Sequence, residues 1–217
     1  MLPEASADHA TAFDPAFVED FDRLLRVRRD VRHFADQPVP PVLIARILAA
    51  AERAPSVGLS QPWRFVRVDE PRRRAIVRES FRAANADALA GYDGDDAARY
   101  ANLKLAGRAE APVHLAAFTD TQTERGRGLG RRTMPETLAY STVAAIQNLW
   151  LMARALGLGV GWVSILEPAT VAAALDVPAS WSLTAYLCIG YPSATDDTPE
   201  LERRGWEIRQ AAPIEQR

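Results

Sequence analysis

Arg28-Arg29-Asp30-Val31-Arg32 places three arginines within five residues, where a helical pattern gives way to an extended one. Guanidinium donors match phosphate oxygens two at a time, so such a cluster can fork around a phosphate. An arginine run is as readily a solvated face with local ion pairs, and spacing alone leaves both open. A second stretch, Ala54 to Phe65, reads as a helix stop, a small-residue loop and a strand start. Small residues let backbone N–H groups approach a ligand, and the Ser56 hydroxyl can bond to it, although an ordinary helix-to-strand connection has the same composition. The third, Gly157-Leu-Gly-Val-Gly-Trp-Val-Ser-Ile165, closes a helix at Gly157 and enters a strand. A dinucleotide fingerprint runs the other way, from strand into helix, so these glycines are not one. Ser164 can bond to a cofactor or cap a helix starting at Pro168, and capping is the simpler role. Gly126-Arg-Gly-Leu-Gly-Arg-Arg-Thr-Met-Pro135 is a Gly/Arg loop before a helix, which suits an anion but lacks P-loop spacing.

Other chemistries find no residues. His9, His33 and His114 have no ligand spacing and no acidic or cysteine cluster beside them. There is no GxSxG elbow. Cys188 lies in an apolar run with no activating residue evident in the sequence around it, and a lone cysteine fits a reducing cytoplasm. The 217 residues suit one domain with a sizeable core. A net charge of −2 offers no bulk field for nucleic acid or an anionic membrane. No apolar run reaches membrane-spanning length, and Met1–His9 lacks the apolar region of a secretory signal.

The elements that must position these residues follow from pattern. Asp14-Pro15 predicts a helix to about Arg28, and Pro40-Pro41 a second that ends before Pro55. Residues 63–68 alternate as a strand, 71–90 form an Arg-rich helix, 95–106 a short helix, and 112–118 a strand. Thr133-Met-Pro-Glu136 has capping-box spacing and predicts a helix over 134–158 that is apolar almost all round. A helix of that kind needs burial on most faces, so a second subunit is a natural partner. Residues 160–165 and 183–189 read as strands, with a short helix at 168–175 between them.

In order and spacing, the first three clusters resemble the FMN-binding signature of nitroreductase-like flavoproteins over roughly residues 20–207. The resemblance implies an α+β fold with a central mixed β-sheet surrounded by helices, assembled as a homodimer. It implies one FMN-binding domain over 1–217, with a loose tail at 1–13 and a C-terminal extension at 193–217. Carried over residue by residue, it places Arg28, Arg29, Asp30, Val31 and Arg32 on the FMN phosphate and ribityl chain. Ser56 lies beside the flavin, Trp162 and Val163 run past the ring, and Ser164 reaches N5. Arg203, after Pro199-Glu-Leu-Glu, is similar to the last phosphate contact.

Three departures from the common pattern narrow the resemblance. Asp30 stands where Ser is common, Leu59 where Asn is common, and Gly128-Leu-Gly-Arg-x-Thr-Met-Pro-Glu-Thr137 resembles a signature of the branch that consumes its flavin. In that branch, reduced FMN (FMNH2) and O2 give 5,6-dimethylbenzimidazole, the lower ligand of cobalamin. FMN is then substrate as well as ligand, a separate flavin reductase supplies it, and Asp30 and Ser164 become the catalytic candidates. Chemistry of this kind needs shelter from water, for which the loop at 126–132 and the helix at 95–106 are lid candidates. The alternative is a conventional FMN-dependent reductase of nitro compounds, quinones or cob(II)yrinate diamide, which shares every FMN contact.

Overall fold

Four of the helices begin on proline, whose fixed φ suits a first turn and whose missing N–H is not needed there. In the computed structural model, which describes residues 13–103 and 111–217, the order is α1 (Pro15–Val27), α2 (Pro41–Ala51), β1 (Trp63–Arg67), α3 (Pro71–Ala90), α4 (Gly94–Ala101), β2 (Val113–Asp120), α5 (Thr137–Ala155), β3 (Gly159–Val163), α6 (Pro168–Leu175), β4 (Trp181–Gly190) and α7 (Glu200–Arg203). Asp14 caps α1 as its sequence suggests, accepting the Phe17 N–H at 2.8 Å.

The strands form one sheet in the order β1-β2-β4-β3, and each neighbouring pair is antiparallel. The sheet is therefore less mixed than expected: among the described residues, the parallel pairing is the single bridge Asp30–Val160 at its edge. Side-chain alternation reads the same for either strand direction, so the sequence could not decide this. One face carries Leu115, Ala117, Leu187 and Ile189, packed against Ile47 of α2 and Ile146 and Leu149 of α5. The other carries Ala116, Phe118, Tyr186 and Cys188, covered by Val77 of α3 and Val171 and Leu175 of α6. Strands buried on both faces explain why β2 and β4 read as near-continuous apolar runs.

The capping box before α5 does not form. The Thr133 hydroxyl donates to the Gly130 carbonyl at 3.0 Å instead, residues 133–136 make turns, and the helix starts at Thr137. Its burial is close to expectation, with Leu138, Ile146, Leu149 and Trp150 inside, but Tyr140 and Val143 remain exposed. The helix expected at 95–106 is observed over Gly94–Ala101, and the rest of that expectation partly lies outside the described residues. No helix among the described residues is long and apolar enough to cross a membrane.

The segment after α1 lies along the free edge of β3. The Val31 N–H donates to the Val160 carbonyl at 3.0 Å. This approach depends on two missing side chains. A Cβ on Gly159 would meet Val31 Cγ2 at 2.7 Å, and one on Gly161 would overlap the Val31 carbonyl oxygen. Backbone, unlike a flexible side-chain end, cannot step aside cheaply. Gly161→Ala should therefore destabilise the protein by about 1–3 kcal/mol, the usual cost of forcing a methyl group into packed structure. Urea unfolding reads this, and an unchanged midpoint would show that the segment has room to spare.

Candidate functional site

α1 ends at Val27, and Arg28 turns the chain into an extended conformation. The next four residues then run between β3 and α5. The Trp150 indole N–H, from α5, donates to the Arg29 carbonyl at 3.2 Å. The Arg28 guanidinium lies 4.9 Å from the centre of the same indole. Asp30 turns the other way: its Oδ1 accepts the Trp162 backbone N–H at 2.8 Å, and its Oδ2 accepts Arg32 Nε at 2.9 Å. The ion pair is far from an exposed one, since the Arg32 side chain is 12% accessible and that of Asp30 33%.

Arg29 points into a cleft of about 350 Å³ lined by Arg23, Arg26, Val27, Asp197 and Arg209. Its terminal nitrogens donate to the Arg28 and Asp197 carbonyls. Its Nε is buried with no hydrogen-bond partner among the described residues. A buried donor without a partner is costly, and an anion in the cleft would satisfy it. The electrostatics agree. Burial, then the charges of Arg209 and Arg28, lower the Arg29 pKa against the pull of Asp197 and Asp196. Added negative charge would relieve that crowding, so the arginines fit a phosphate monoester such as that of FMN.

Asp30 shows the opposite balance. Burial pushes its carboxyl above the ordinary aspartate range, against the Trp162 hydrogen bond and the charges of Arg32 and Arg28. Desolvation thus outweighs two arginines and a backbone donor. An acid that holds its proton more tightly than usual, one residue from an anion cleft, is suited to proton transfer.

The other expected residues divide. Trp162 is half-buried and packs against the core between the sheet, α2 and α5. The Val163 side chain is buried in the opposite core, so only its backbone can pass a ligand on the site's side. Ser164 is exposed just beyond β3. The simpler role foreseen for it, capping α6, is taken by Glu167, whose side chain accepts the Ala169 N–H at 3.3 Å. Ser56 is engaged locally, accepting the Gln61 N–H at 3.1 Å, and the neighbouring Val57 N–H donates to Ser141 near the start of α5. Arg29 is held at Trp150, nine residues further along that helix, so Ser56 and the arginines sit roughly 14 Å apart along its axis.

Arg203 pairs with Asp196 at 3.1 Å with its side chain 46% exposed, whereas Arg209 lines the cleft with Arg29. Arg209 was not singled out from the sequence. It follows the turn after α7, and only the reversal of the chain there brings it back to residue 29. The Gly-rich loop packs on the Ser56 loop: Cβ atoms on Gly126 and Gly130 would meet the Gly58 carbonyl oxygen at 2.7 Å and Val57 Cγ2 at 2.6 Å. The Arg125 guanidinium also donates to Gln61 Oε1 at 2.7 Å. Among the described residues, no cluster of His, Cys, Asp and Glu could hold a metal ion.

Comparison with known proteins gives this arrangement a context. Two curated relatives are both named 5,6-dimethylbenzimidazole synthase. One, from Rhodospirillum rubrum, is 55% identical over 205 residues, covering 94% of this chain and 97% of the relative. The other, from Rhodobacter capsulatus, is 48% identical over 195 residues, covering 90% and 94%. Among solved structures, oxidized iodotyrosine deiodinase bound to FMN and 3-iodo-L-tyrosine matches with a TM-score of 0.71, covering 90% of this chain and 97% of that one. At 21% identity, that match speaks to the fold alone. The model of the Nitroreductase family matches residues 25–191, and the chain belongs to that family.

Proposed function

We propose that this chain is a 5,6-dimethylbenzimidazole synthase, which uses O2 to break FMNH2 down to 5,6-dimethylbenzimidazole, the lower ligand of cobalamin. The observation that carries this reading is one short segment that joins an anion-seeking arginine, Arg29, to a half-buried acid, Asp30, in a chain with relatives of that name over nearly its whole length. When bound as FMNH2, the flavin supplies the electrons that reduce O2 and the dimethylated ring that leaves as product. Arg28, Arg29, Arg32 and Arg209 hold the phosphate end, and the backbone of Val31, Trp162 and Val163 borders the remainder. Asp30, its pKa raised by burial, holds and moves a proton beside the ring. The Ser164 hydroxyl, exposed just beyond β3, would hydrogen-bond flavin N5.

A separate flavin reductase supplies FMNH2, and a cytoplasmic setting suits the buried thiol of Cys188, the single cysteine of the sequence. Residues 1–217 act as one FMN-binding domain. The chain works as a symmetric homodimer with the flavin near the interface. In support, Phe17, Phe21 and Leu25 of α1 and Val143 of α5 are exposed large apolar side chains, and so much uncovered apolar surface is unusual on a monomer.

The direct test is incubation with FMNH2 in air followed by chromatography: 5,6-dimethylbenzimidazole should appear, and intact oxidised FMN alone would instead identify a conventional flavin reductase. In that assay at saturating flavin, Asp30→Asn should bind FMNH2 but return mostly oxidised FMN, since losing a general acid–base group typically costs about 10²–10⁴-fold. Ser164→Ala should lower the product fraction in the same direction. An unchanged ratio of product to oxidised FMN in either variant would remove that residue from the chemistry. The pH dependence has a definite sign. A carboxyl with a raised pKa keeps its proton to higher pH, so the acid form's contribution persists above the ordinary aspartate range and is lost as pH rises through the raised value. The wild-type profile should show that inflection, and Asp30→Asn should lack it.

Binding separates the arginines. Arg29→Ala should weaken FMN affinity about ten- to a hundredfold, the worth of a charge-assisted contact. Arg209→Ala should weaken it more than Arg203→Ala. Fluorescence titration checks both, and the reverse order would return the last phosphate contact to Arg203. Light scattering at micromolar concentration should give twice the chain mass of 23.8 kDa, and a monomer would contradict the dimer.

A further inference from the structure

Trp150 is a large, nearly buried side chain that belongs to the core and also has four ties to the site. It is 8% exposed and sits in the last two turns of α5. Its N–H holds the Arg29 carbonyl at 3.2 Å, which is the peptide group joining Arg29 to Asp30. Its ring lies under the Arg28 guanidinium at 4.9 Å, and its edge lines the small cavity that also holds Arg29 and Val31. Finally, it packs against the Trp162 ring, 6.4 Å between centres and tilted by 34°, and the Trp162 N–H is the donor that orients Asp30.

We propose that Trp150 is the positioning residue of the site: one indole sets the phosphate-binding arginines and the Asp30 carboxyl in register with each other. Residues 28–32 have no regular structure of their own, and their ladder to β3 is a single bridge with one hydrogen bond from Val31. That bridge and the Asp30 bond to the Trp162 N–H tie the segment on its β3 side alone, which still allows a rotation about that line of contacts that would swing Arg29. A hydrogen bond to the Arg29 carbonyl stops that rotation. The cation over the ring face then fixes which way Arg28 leaves the turn, an interaction that is stronger when partly desolvated. An aliphatic residue at 150 could fill the volume but could do neither. A phenyl ring could carry the cation but not hold the carbonyl.

The inference rests on the proposed flavin chemistry for one readout and is independent of it for the other. The two readouts are the FMN dissociation constant, by fluorescence titration, and the fraction of consumed FMNH2 that becomes 5,6-dimethylbenzimidazole at saturation. Trp150→Phe should weaken FMN about three- to tenfold, the worth of one neutral hydrogen bond. Trp150→Leu should weaken it a further several-fold by also losing the cation–π contact. In both, the product fraction at saturating flavin should fall, which a role confined to core packing would not produce once the site is full. If wild type returns only oxidised FMN, the functional reading fails, while the ordered loss of affinity still tests the positioning. FMN affinity and product fraction within twofold of wild type in Trp150→Phe would overturn the inference. Should Trp150→Phe fail to fold, 3-benzothienylalanine at position 150 keeps the indole's shape and drops only the N–H. It must give the same two losses, and wild-type values there would overturn the inference equally.

Discussion

The close approach of residues 28–32 to the edge of β3 is the constraint on which the site depends. Gly159 and Gly161 leave no side chains at the two points where Val31 lies against the strand. Because they do, the Val31 N–H reaches the Val160 carbonyl and Asp30 reaches the Trp162 N–H. Successive residues of an extended segment face opposite ways. Arg29 can therefore enter the cleft while Asp30 is drawn back to the sheet, so a cationic cleft and a carboxyl of raised pKa arise from neighbouring residues. Their separation is fixed by covalent geometry, and their direction by the surfaces on either side.

Those two residues are perturbed in opposite senses for one shared reason, the removal of water. Burial lowers the Arg29 pKa and raises that of Asp30. In each case burial is the largest effect and neighbouring charges modify it. For Arg29 the like charges of Arg209 and Arg28 add to the burden. For Asp30 the opposite charges of Arg32 and Arg28 only offset it. Phosphate binding would relieve the first strain, and it would also exclude more water from the second. Occupancy of the arginine cleft and the protonation of Asp30 are thus linked through solvent as well as through the chain.

The loops at the other end of α5 obey a similar steric rule. Gly58 and Gly126 meet backbone to backbone, and Gly130 admits Val57. Leu59 and Gln61 adopt positive φ, an uncommon conformation for such residues, which the surrounding contacts must maintain. Leu59 and Leu129 are each 72% exposed on this locked pair of loops. The Gly-rich stretch that set this sequence apart is accordingly a piece fitted to the Ser56 loop.

Much of this was legible in the residues themselves. Proline and aspartate marked α1, α2, α3 and α6 because helix starts are local, governed by φ and by the orphan N–H groups of one turn. The Arg28–Arg32 cluster and the Gly-Trp-Val-Ser stretch could be singled out because their donor types suit a cofactor, but spacing alone left a solvated face and a helix cap open, and only the family resemblance favoured a site. The antiparallel direction of the sheet could not be read, since alternation is blind to it. The capping box failed because the chain still turns at Thr133 and the helix begins only at Thr137, which leaves Glu136 at the N-cap position. Arg209 was not singled out, and Trp150 was read as core and nothing more, because the residues they meet at the cleft lie more than a hundred positions away along the chain. Which arginine faces the cleft, which way Asp30 turns and what holds the peptide between them were decided by packing of distant elements, where sequence spacing carries no information.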